Sequence, residues 1–278
     1  NGLFGLLKVI IDYVHPQKAK SFIICRDLIQ NKTGLEIGGP SNMFSRKGLL
    51  PVYPYLKKLD NCNFSSETIW ESQIKDGLSF KYDKDKPFGY QYILDSTNLI
   101  KITSDSYDFI LTSHVIEHIA NPIKALFEWV RILKNEGVLV IILPHKDGTF
   151  DHNRNITSLT HIIGDYNNDT NENDLTHLDE ILELHDLRRD PEAGSLSQFK
   201  ERSFNNFENR CLHHHVFDTY LTVKLIDFIK LQILSIEALS PYHIIIIARK
   251  SPEHSNKDIL NMVESHKFKS PFSSDKLF

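Results

Sequence analysis

Residues 33–41 read TGLEIGGPS, and the rest of the chain is organised around this stretch. A short apolar strand contains the acid Glu36 near its end and opens at once into a turn at Gly38 and Gly39. Residues with almost no side chain let a ligand lie against bare backbone, and open α/β sheets bind ligands beyond the carboxyl ends of their strands. The stretch therefore predicts a ligand site at the end of the first strand.

Short apolar runs alternate with helical patterns along the chain. They predict strands over residues 34–37, 55–59, 90–94, 107–112 and 138–143, and a hairpin over 233–239 and 243–248. A helix is predicted over 123–133, with Asn121 as N-cap, Pro122 as its first residue and Gly137 as its terminator, and another over 216–231. This alternation predicts an α/β fold: a Rossmann-like, doubly wound sheet that is mostly parallel and ends in a C-terminal antiparallel hairpin.

The same patterns divide the chain into regions. Residues 1–32 are predicted to form a helical lead-in broken by Pro16, and the main domain spans 33–250. An insertion at about 145–215, with a helical piece over 178–187, interrupts that domain, and 251–278 form a polar tail that we expect to be loosely held. The apolar segment 3–14 is interpreted as a helix packed on the core, because only Lys8 could favour a membrane surface.

Composition excludes several classes of partner. The 278-residue chain has a net charge of −4, so it lacks the basic footprint of a nucleic-acid-binding protein. No apolar run reaches the roughly 18 residues that a membrane span needs. Cys25, Cys62 and Cys211 are too far apart for a disulfide framework or a zinc knuckle, which fits a reducing compartment. We therefore expect a cytoplasmic protein without nucleic acid or a membrane span, and a homodimer stays open.

Acidic and small polar residues follow the other predicted strands. Asp60 comes after the second strand, Asp95 and Ser96 after the third, and Ser113 and His114 after the fourth. A nicotinamide dinucleotide would require G-x-G-x-x-G at a helix N-terminus. From residue 38 the chain instead reads GGPSNM, and its proline removes an N–H that a phosphate would need. The pattern therefore argues against a dinucleotide.

Two segments carry a resemblance to a known family. The stretch 33–41 looks like motif I of the class I S-adenosylmethionine-dependent methyltransferases, and SHVIEHIANP at 113–122 is similar to the segment after strand four in their small-molecule branch. The chain resembles that family from about residue 34 to residue 250, which implies its seven-stranded fold. The GGPS turn is reminiscent of members linked to sugar and polysaccharide biosynthesis.

The resemblance implies S-adenosylmethionine as cofactor and assigns a role to each strand end. The methionine end would be held by Glu36, Gly38 and Gly39 with Pro40 and Ser41 in the same turn, the ribose by Asp60, the adenine by Asp95 and Ser96, and the region of the sulfonium by Ser113 and His114. Each residue also has a structural alternative. The glycines could form a plain tight turn, and the two aspartates could cap turns or helices.

The insertion is rich in histidine. Eight of the fourteen histidines fall between residues 145 and 215, which begin where strand five ends, so we expect this segment to form an acceptor-binding lid. Methyl transfer to a hydroxyl needs a base, and histidine titrates near neutrality. His145, directly after strand five, is the first candidate, and His152, beside Asp151, is the second. His118 is the third, against the alternative of a satisfied buried histidine.

A metal site is the rival explanation for this composition. His145, Asp147, Asp151, His152 and Asp165 could supply ligands for a divalent ion. Their spacing matches no closed zinc pattern, and the three consecutive histidines 213–215 cannot all face one ion, although His213 and His215 could do so on a strand. We therefore assign no metal from the sequence.

Together these features favour an S-adenosylmethionine-dependent methyltransferase that acts on a small polar acceptor. The polar segment favours O-methylation of a sugar, a nucleotide-sugar or a glycan, whereas an aromatic acceptor would call for a more apolar lid. Two alternatives stay open: N-methylation of an amino sugar or another small amine, and a non-catalytic scaffold of the same fold.

Overall fold

A mixed sheet forms the centre of the molecule in the computed structural model, which describes residues 18–71 and 73–276. Its strands in this part of the chain are β1 (Thr33–Ile37), β2 (Lys58–Asn63), β3 (Gly77–Phe80), β4 (Gly89–Ile93), β5 (Tyr107–Ser113), β6 (Leu133–Pro144), β7 (Gln232–Leu239) and β8 (His243–Arg249). Their spatial order is β3-β4-β2-β1-β5-β6-β8-β7. The predicted fold class is confirmed.

The sheet is parallel at its centre and antiparallel at both ends. β4, β2, β1, β5 and β6 run parallel, while β8 and β7 form the predicted antiparallel hairpin beside β6. β3 is an additional antiparallel strand at the opposite edge. The sequence reading missed β3 because the polar stretch 61–89 shows no alternation of apolar and polar residues.

Helices cover both faces of the sheet. In the described residues they are α1 (Phe22–Ile29), α2 (Pro122–Ile132), α3 (Leu159–Asn167), α4 (Leu178–Leu184), α5 (Leu196–Phe204), α6 (Asn206–Asn209), α7 (Thr219–Phe228) and α8 (Lys257–Glu264). Trp129 of α2 and Leu225 of α7 belong to the apolar layer on one face, and Cys25 of α1 belongs to the layer on the other. Strands buried on both faces explain the continuous apolar run of β6. None of the helices described here has the length and apolar character to cross a bilayer.

Two predicted boundaries were wrong. The second strand begins at Lys58 rather than at residue 55, because Tyr53–Tyr55 form a short 3-10 turn. It also continues past Asp60 and ends at Asn63. Asn121 does cap α2, since its Oδ1 accepts from Lys124 N at 3.0 Å. The helix ends at Ile132 rather than near Gly137, and the chain passes directly into β6.

The register places the strand ends level with one another. Ile37 at the end of β1 lies opposite Cys62 of β2 on one side and Thr112 of β5 on the other. Gly38 continues the pairing by donating its N–H to Cys62 O at 2.9 Å. The residues that follow β1, β2 and β5 therefore emerge side by side at one edge of the sheet.

Residues 145–215 form a helical segment between β6 and α7. It contains α3 to α6, and part of it has its own apolar cluster, formed by Leu178, Ile181, Ala193, Phe199 and Leu212. The predicted helical piece at 178–187 ends at Leu184. The predictions for residues 1–17, including the apolar segment 3–14 and the break at Pro16, lie outside the described residues.

The polar tail is attached to the core, contrary to the expectation that it is loosely held. α8 packs against α7, and the ring of Phe272 stacks on that of His145 with the centroids 3.9 Å apart. Asp275 lies 3.0 Å from His145 Nε2 and accepts from Thr219 Oγ1 at 2.7 Å. A buried carboxylate with two side-chain partners thus fixes the end of the tail.

Asp275→Ala should lower the free energy of unfolding by about 2 kcal/mol, because it leaves buried donors on His145 and Thr219 without their acceptor. Urea denaturation at neutral pH measures the change. Glu253→Ala, an acid-to-alanine change at an exposed tail position, is the matched control and should shift stability by less than about 0.5 kcal/mol. Equal stability of the two variants would contradict the structural role of Asp275.

Candidate functional site

A cavity of about 440 Å³ opens at the carboxyl ends of β1, β2, β4 and β5. Its size falls in the usual range for small-molecule sites. The cavity wall brings together nine of the sequence-predicted site residues: Gly38, Gly39, Pro40, Ser41, Asp95, Ser96, Ser113, His114 and His118. It does not include Glu36, Asp60, His145 or His152.

The glycine turn leaves the backbone open to the cavity. Gly38 has φ +78°, and a Cβ built on it would lie 2.5 Å from Val115 Cγ2, so a larger residue would be both strained and obstructed. The side chain of Asn61 fixes the next residue, because its Oδ1 accepts from Gly39 N at 3.0 Å and its Nδ2 donates to Gly39 O at 2.9 Å. The turn is thus held in place before any ligand binds.

Glu36 lies behind the turn rather than in the cavity. Its carboxylate is fully buried and accepts from Tyr53 OH at 2.7 Å and from Ser41 N at 3.0 Å. Burial raises the pKa of Glu36 to about 8, although both of these hydrogen bonds oppose the shift. Glu36 does not line the cavity, so it cannot make the direct cofactor contact predicted for it. Its hydrogen bonds instead support the turn.

The position predicted for Asp60 was wrong because β2 continues past it. Asp60 is buried inside the strand, where its oxygens accept from Tyr90 N at 2.7 Å and Tyr107 OH at 3.0 Å. The residue at the actual strand end is Asn63, which lines the cavity. Its Nδ2 donates to Gly39 O at 3.3 Å, which leaves the amide oxygen as an acceptor.

Asp95 and Ser96 lie in the cavity wall as predicted. One carboxylate oxygen of Asp95 accepts from Thr97 N and Thr97 Oγ1, and the other lies 3.2 Å from Arg210 Nη2. The carbonyl of Ser96 accepts from Trp129 Nε1 at 3.1 Å, which ties this strand end to α2. Asp95 therefore faces the cavity already paired with a cation from the 145–215 segment.

The end of β5 contributes a polar group to the cavity. Ser113 Oγ is buried and has no hydrogen-bond partner among the described residues. His114 Nε2 lies 3.2 Å from His243 Nδ1. His118 donates its Nδ1–H to Leu212 O at 3.1 Å, and burial lowers the pKa of His118 to about 3. The imidazole of His118 is therefore neutral at physiological pH, with its Nε2 lone pair free.

His145 and His152, the first two candidate bases, do not line the cavity, so the prediction that placed them at the site was wrong. His145 is fully buried under the tail, with Nε2 bonded to Asp275 and Nδ1 accepting from Asp147 N at 3.2 Å. His152 is bonded to Asp186 at 3.1 Å, away from the cavity. Proximity in sequence to the end of β6 misled the assignment, because Phe272 and Asp275 of the tail cover His145.

Several cavity residues were missed. Asn63 and Phe64 were hidden by the misplaced end of β2, and Trp70 lies in a polar stretch that was interpreted as a solvated face. Glu172 and Arg210 come from the 145–215 segment, and the two form an ion pair at 3.1 Å. The predicted lid pointed to this segment, yet no spacing in the sequence singles out these two residues.

The residues present fit S-adenosylmethionine. An open glycine turn suits its aminocarboxypropyl arm, the Asn63 amide oxygen and the unpartnered Ser113 hydroxyl suit its polar groups, and Asp95 is an acceptor for an amine. The cavity lies where ligands of open α/β sheets bind.

Comparisons with known proteins agree with this reading. A family model described as a methyltransferase domain matches residues 63–141, which include β4, β5 and the strand-end residues Asp95, Ser113 and His114. No curated protein sequence matches the chain.

Solved structures were compared with the fold. An S-adenosylmethionine-dependent methyltransferase from Methanosarcina mazei is 17% identical, with a TM-score of 0.50 over 83% of this chain and 98% of that one. Another from Aquifex aeolicus is 12% identical, with a TM-score of 0.42 over 88% and 97%. The fold likeness rests on the first of these. The solved structure shows the fold, and the methyltransferase-domain match over residues 63–141 together with the cavity supports an S-adenosylmethionine-dependent methyltransferase.

Glu36→Gln should change how stability depends on pH. A carboxyl whose folded pKa is raised from 4.5 to about 8 holds a proton that the unfolded chain has lost, so the free energy of unfolding falls as pH rises through that window. The fall approaches about 1.4 kcal/mol per pH unit, and glutamine removes it. Urea denaturation of both proteins across the window measures the difference, and parallel profiles would contradict the burial argument.

Proposed function

We propose that this protein is a methyltransferase that transfers the methyl group of S-adenosylmethionine to a hydroxyl of a small polar acceptor, a sugar, nucleotide-sugar or glycan end. The observation that supports this most strongly is the group of polar side chains that the 145–215 segment and the turn after β5 bring to the cavity. Glu172 and Arg210 face into it from the 145–215 segment, and His118 lies in the same wall. An aromatic acceptor would favour apolar residues at these positions.

In this proposal the glycine turn and the ends of β2 and β4 bind the cofactor. The open backbone of Gly38 and Gly39 receives the methionine end, the Asn63 amide oxygen accepts from a ribose hydroxyl, and Asp95 accepts from the adenine amine. Asn63 takes over the role that the family resemblance implied for Asp60. The bound cofactor supplies an electrophilic methyl group, and the protein has to present a nucleophilic oxygen to it.

The end of β5 and the 145–215 segment are proposed to bind the methyl acceptor. Arg210 links Asp95 to Glu172, so the segment is held against the sheet beside the cofactor residues. Trp70, which is 56% exposed, lies edge-on to His118 with the ring centroids 5.4 Å apart. A flat indole face beside charged groups suits a sugar ring, which has apolar faces and a polar rim.

His118 is the one of the three predicted catalytic histidines that lines the cavity. Its free Nε2 can accept a hydrogen bond from an acceptor hydroxyl and so orient the oxygen towards the methyl group. Orientation of two reacting groups is a large part of the rate of such a transfer. Because its pKa is lowered to about 3, His118 is a weak proton acceptor, and its proposed role is to position the hydroxyl.

Asn63→Ala should weaken S-adenosylmethionine binding about tenfold, because it removes one hydrogen-bond acceptor from the site. Isothermal titration calorimetry of the purified protein measures the affinity. Asp60→Asn is the matched control: it keeps the size of a buried side chain outside the cavity, and it should bind as the wild type does. A larger loss in Asp60→Asn than in Asn63→Ala would overturn this assignment of the cofactor residues.

His118→Ala should keep S-adenosylmethionine affinity within about threefold and lower kcat at least about 100-fold, because only the acceptor loses its contact. Turnover is measured with methyl-labelled cofactor and parallel panels of neutral sugars, nucleotide-sugars and amino sugars. His152→Ala, a histidine away from the cavity, should retain wild-type kcat. Labelling confined to amino sugars would replace the hydroxyl acceptor with an amine, and full activity of His118→Ala would remove this residue from the mechanism.

A further inference from the structure

We propose that Glu117, His118 and His213 form a binding site for a divalent transition-metal cation at the edge of the cavity. The three residues come from two parts of the chain, the turn after β5 and the end of the 145–215 segment. No metal was assigned from the sequence, where His213 was considered only together with His214 and His215, and Glu117 and His118 were not considered as ligands. The proposal that a cation binds here does not depend on the proposed function, whereas the role of the cation in the reaction rests on it.

The ligand atoms of the group already converge. One nitrogen from each histidine and one carboxylate oxygen all lie within 4.8 Å of one another. His118 Nε2 is 3.9 Å from Glu117 Oε1. Atoms that share an ion at about 2.1 Å lie roughly 3–3.5 Å apart, so side-chain shifts of about 1 Å would close the group on a metal.

The other nitrogen of each histidine is already in use. His118 bonds a backbone carbonyl, which only accepts, so its hydrogen must be on Nδ1 and its Nε2 carries a lone pair. His213 bonds Asp151 through Nδ1, and Asp151 is held in turn by Arg154 at 2.9 Å. Metal-bound histidines almost always donate their second nitrogen to a carbonyl or a carboxylate in this way. Both imidazoles are therefore set to present Nε2.

The carboxylate of Glu117 gives an independent indication of a ligand. It is 1% exposed, and its Oε2 has no hydrogen-bond partner among the described residues. Its Oε1 lies 3.6 Å from His114 Nδ1, beyond ordinary hydrogen-bond length. A buried carboxylate oxygen without a donor is costly, and a cation beside it would remove that cost.

The donor set indicates the kind of cation. Two imidazole nitrogens and one carboxylate oxygen suit Mn²⁺, Fe²⁺, Co²⁺ or Zn²⁺, whereas Mg²⁺ and Ca²⁺ prefer oxygen ligands throughout. Three protein ligands leave coordination positions open. Since His118 lines the cavity, we assign these open positions to the acceptor side, where an oxygen of the acceptor can bind.

With the cation bound, Nε2 of His118 would be a ligand, so the cation would take over its contact with the acceptor hydroxyl and would also supply what the imidazole lacks as a base. A hydroxyl bound to a divalent cation loses its proton more readily, and here the proton passes to water. The oxygen lone pair then forms the bond to the methyl carbon while the carbon–sulfur bond breaks, and its electron pair stays on sulfur. The products are the methyl ether and S-adenosylhomocysteine, so the step needs no oxidant or reductant.

A second group, His161, Asp165 and His215, also brings possible ligand atoms together. It is the weaker candidate because the His161 side chain is 40% exposed and its Nε2 already has another partner. His161 Nε2 lies 3.0 Å from His177 Nε2. This group does not line the cavity, so it supplies the matched control.

Titration of the chelator-treated full-length protein with Co²⁺ tests the site, because cobalt bound by nitrogen and oxygen ligands gives a visible absorption band. We expect one equivalent to bind in the wild type and in His161→Ala, and none with comparable affinity in His213→Ala or Glu117→Gln. Asp151→Asn should bind about 10–100-fold more weakly, since it removes the partner that orients His213. Circular dichroism establishes that each variant is folded, and Glu117→Gln serves if His213→Ala is not.

Absence of the band in the wild type, or its retention in folded Glu117→Gln, would overturn the proposal. Loss of the band in His161→Ala with retention in His213→Ala would place the metal in the second group and overturn it equally. Calorimetric titration with S-adenosylmethionine, without metal, separates this result from the proposed function. A protein that binds the cofactor but not cobalt would keep the proposed methyl transfer and lose the metal site.

Discussion

Two buried polar side chains hold the backbone turn from Gly38 to Ser41, and the rest of the site depends on them. Glu36 accepts from Ser41 N and Tyr53 OH, and Asn61 bonds both the N–H and the carbonyl of Gly39. These contacts come from the protein side of the turn, and Gly38 and Gly39 place bare backbone in the cavity wall. Two successive glycines would otherwise be free to change shape, and these bonds restrict them.

The same support explains why an acid belongs at the end of β1 although it does not reach the cavity. A buried carboxylate with raised pKa is an unfavourable component of a core unless its donors are fixed. Here the donors are a backbone N–H of the turn and a tyrosine from the preceding loop. The side chain therefore couples the shape of the ligand turn to the packing of the loop at residues 53–55.

The central strands and the glycine turn could be predicted because their signals are local. β5, β6 and the hairpin stand as apolar runs bounded by polar residues, and Asn121 and Pro122 mark the start of α2. The end of β2 could not be placed in this way, because LDNCN mixes apolar and polar residues without a regular period and without a terminating residue. Its last residues are fixed by pairing with β1 and β4, which the sequence of β2 does not contain. The three-residue error exchanged Asn63 for Asp60.

The histidines show even more clearly that long-range contacts cannot be predicted from the sequence. A count drew attention to residues 145–215, but the roles of these histidines depend on what each ring nitrogen bonds. Both nitrogens of His145 are engaged, by Asp275 and Asp147, so it is a structural residue. His118 and His213 each use one nitrogen on a fixed acceptor and keep the other for the group around Glu117. Those acceptors, Leu212 O and Asp151, are separated from the turn after β5 by long stretches of chain. The orientation of the two imidazole rings therefore depends on the folded 145–215 segment, which returns to the sheet at Arg210 and His213.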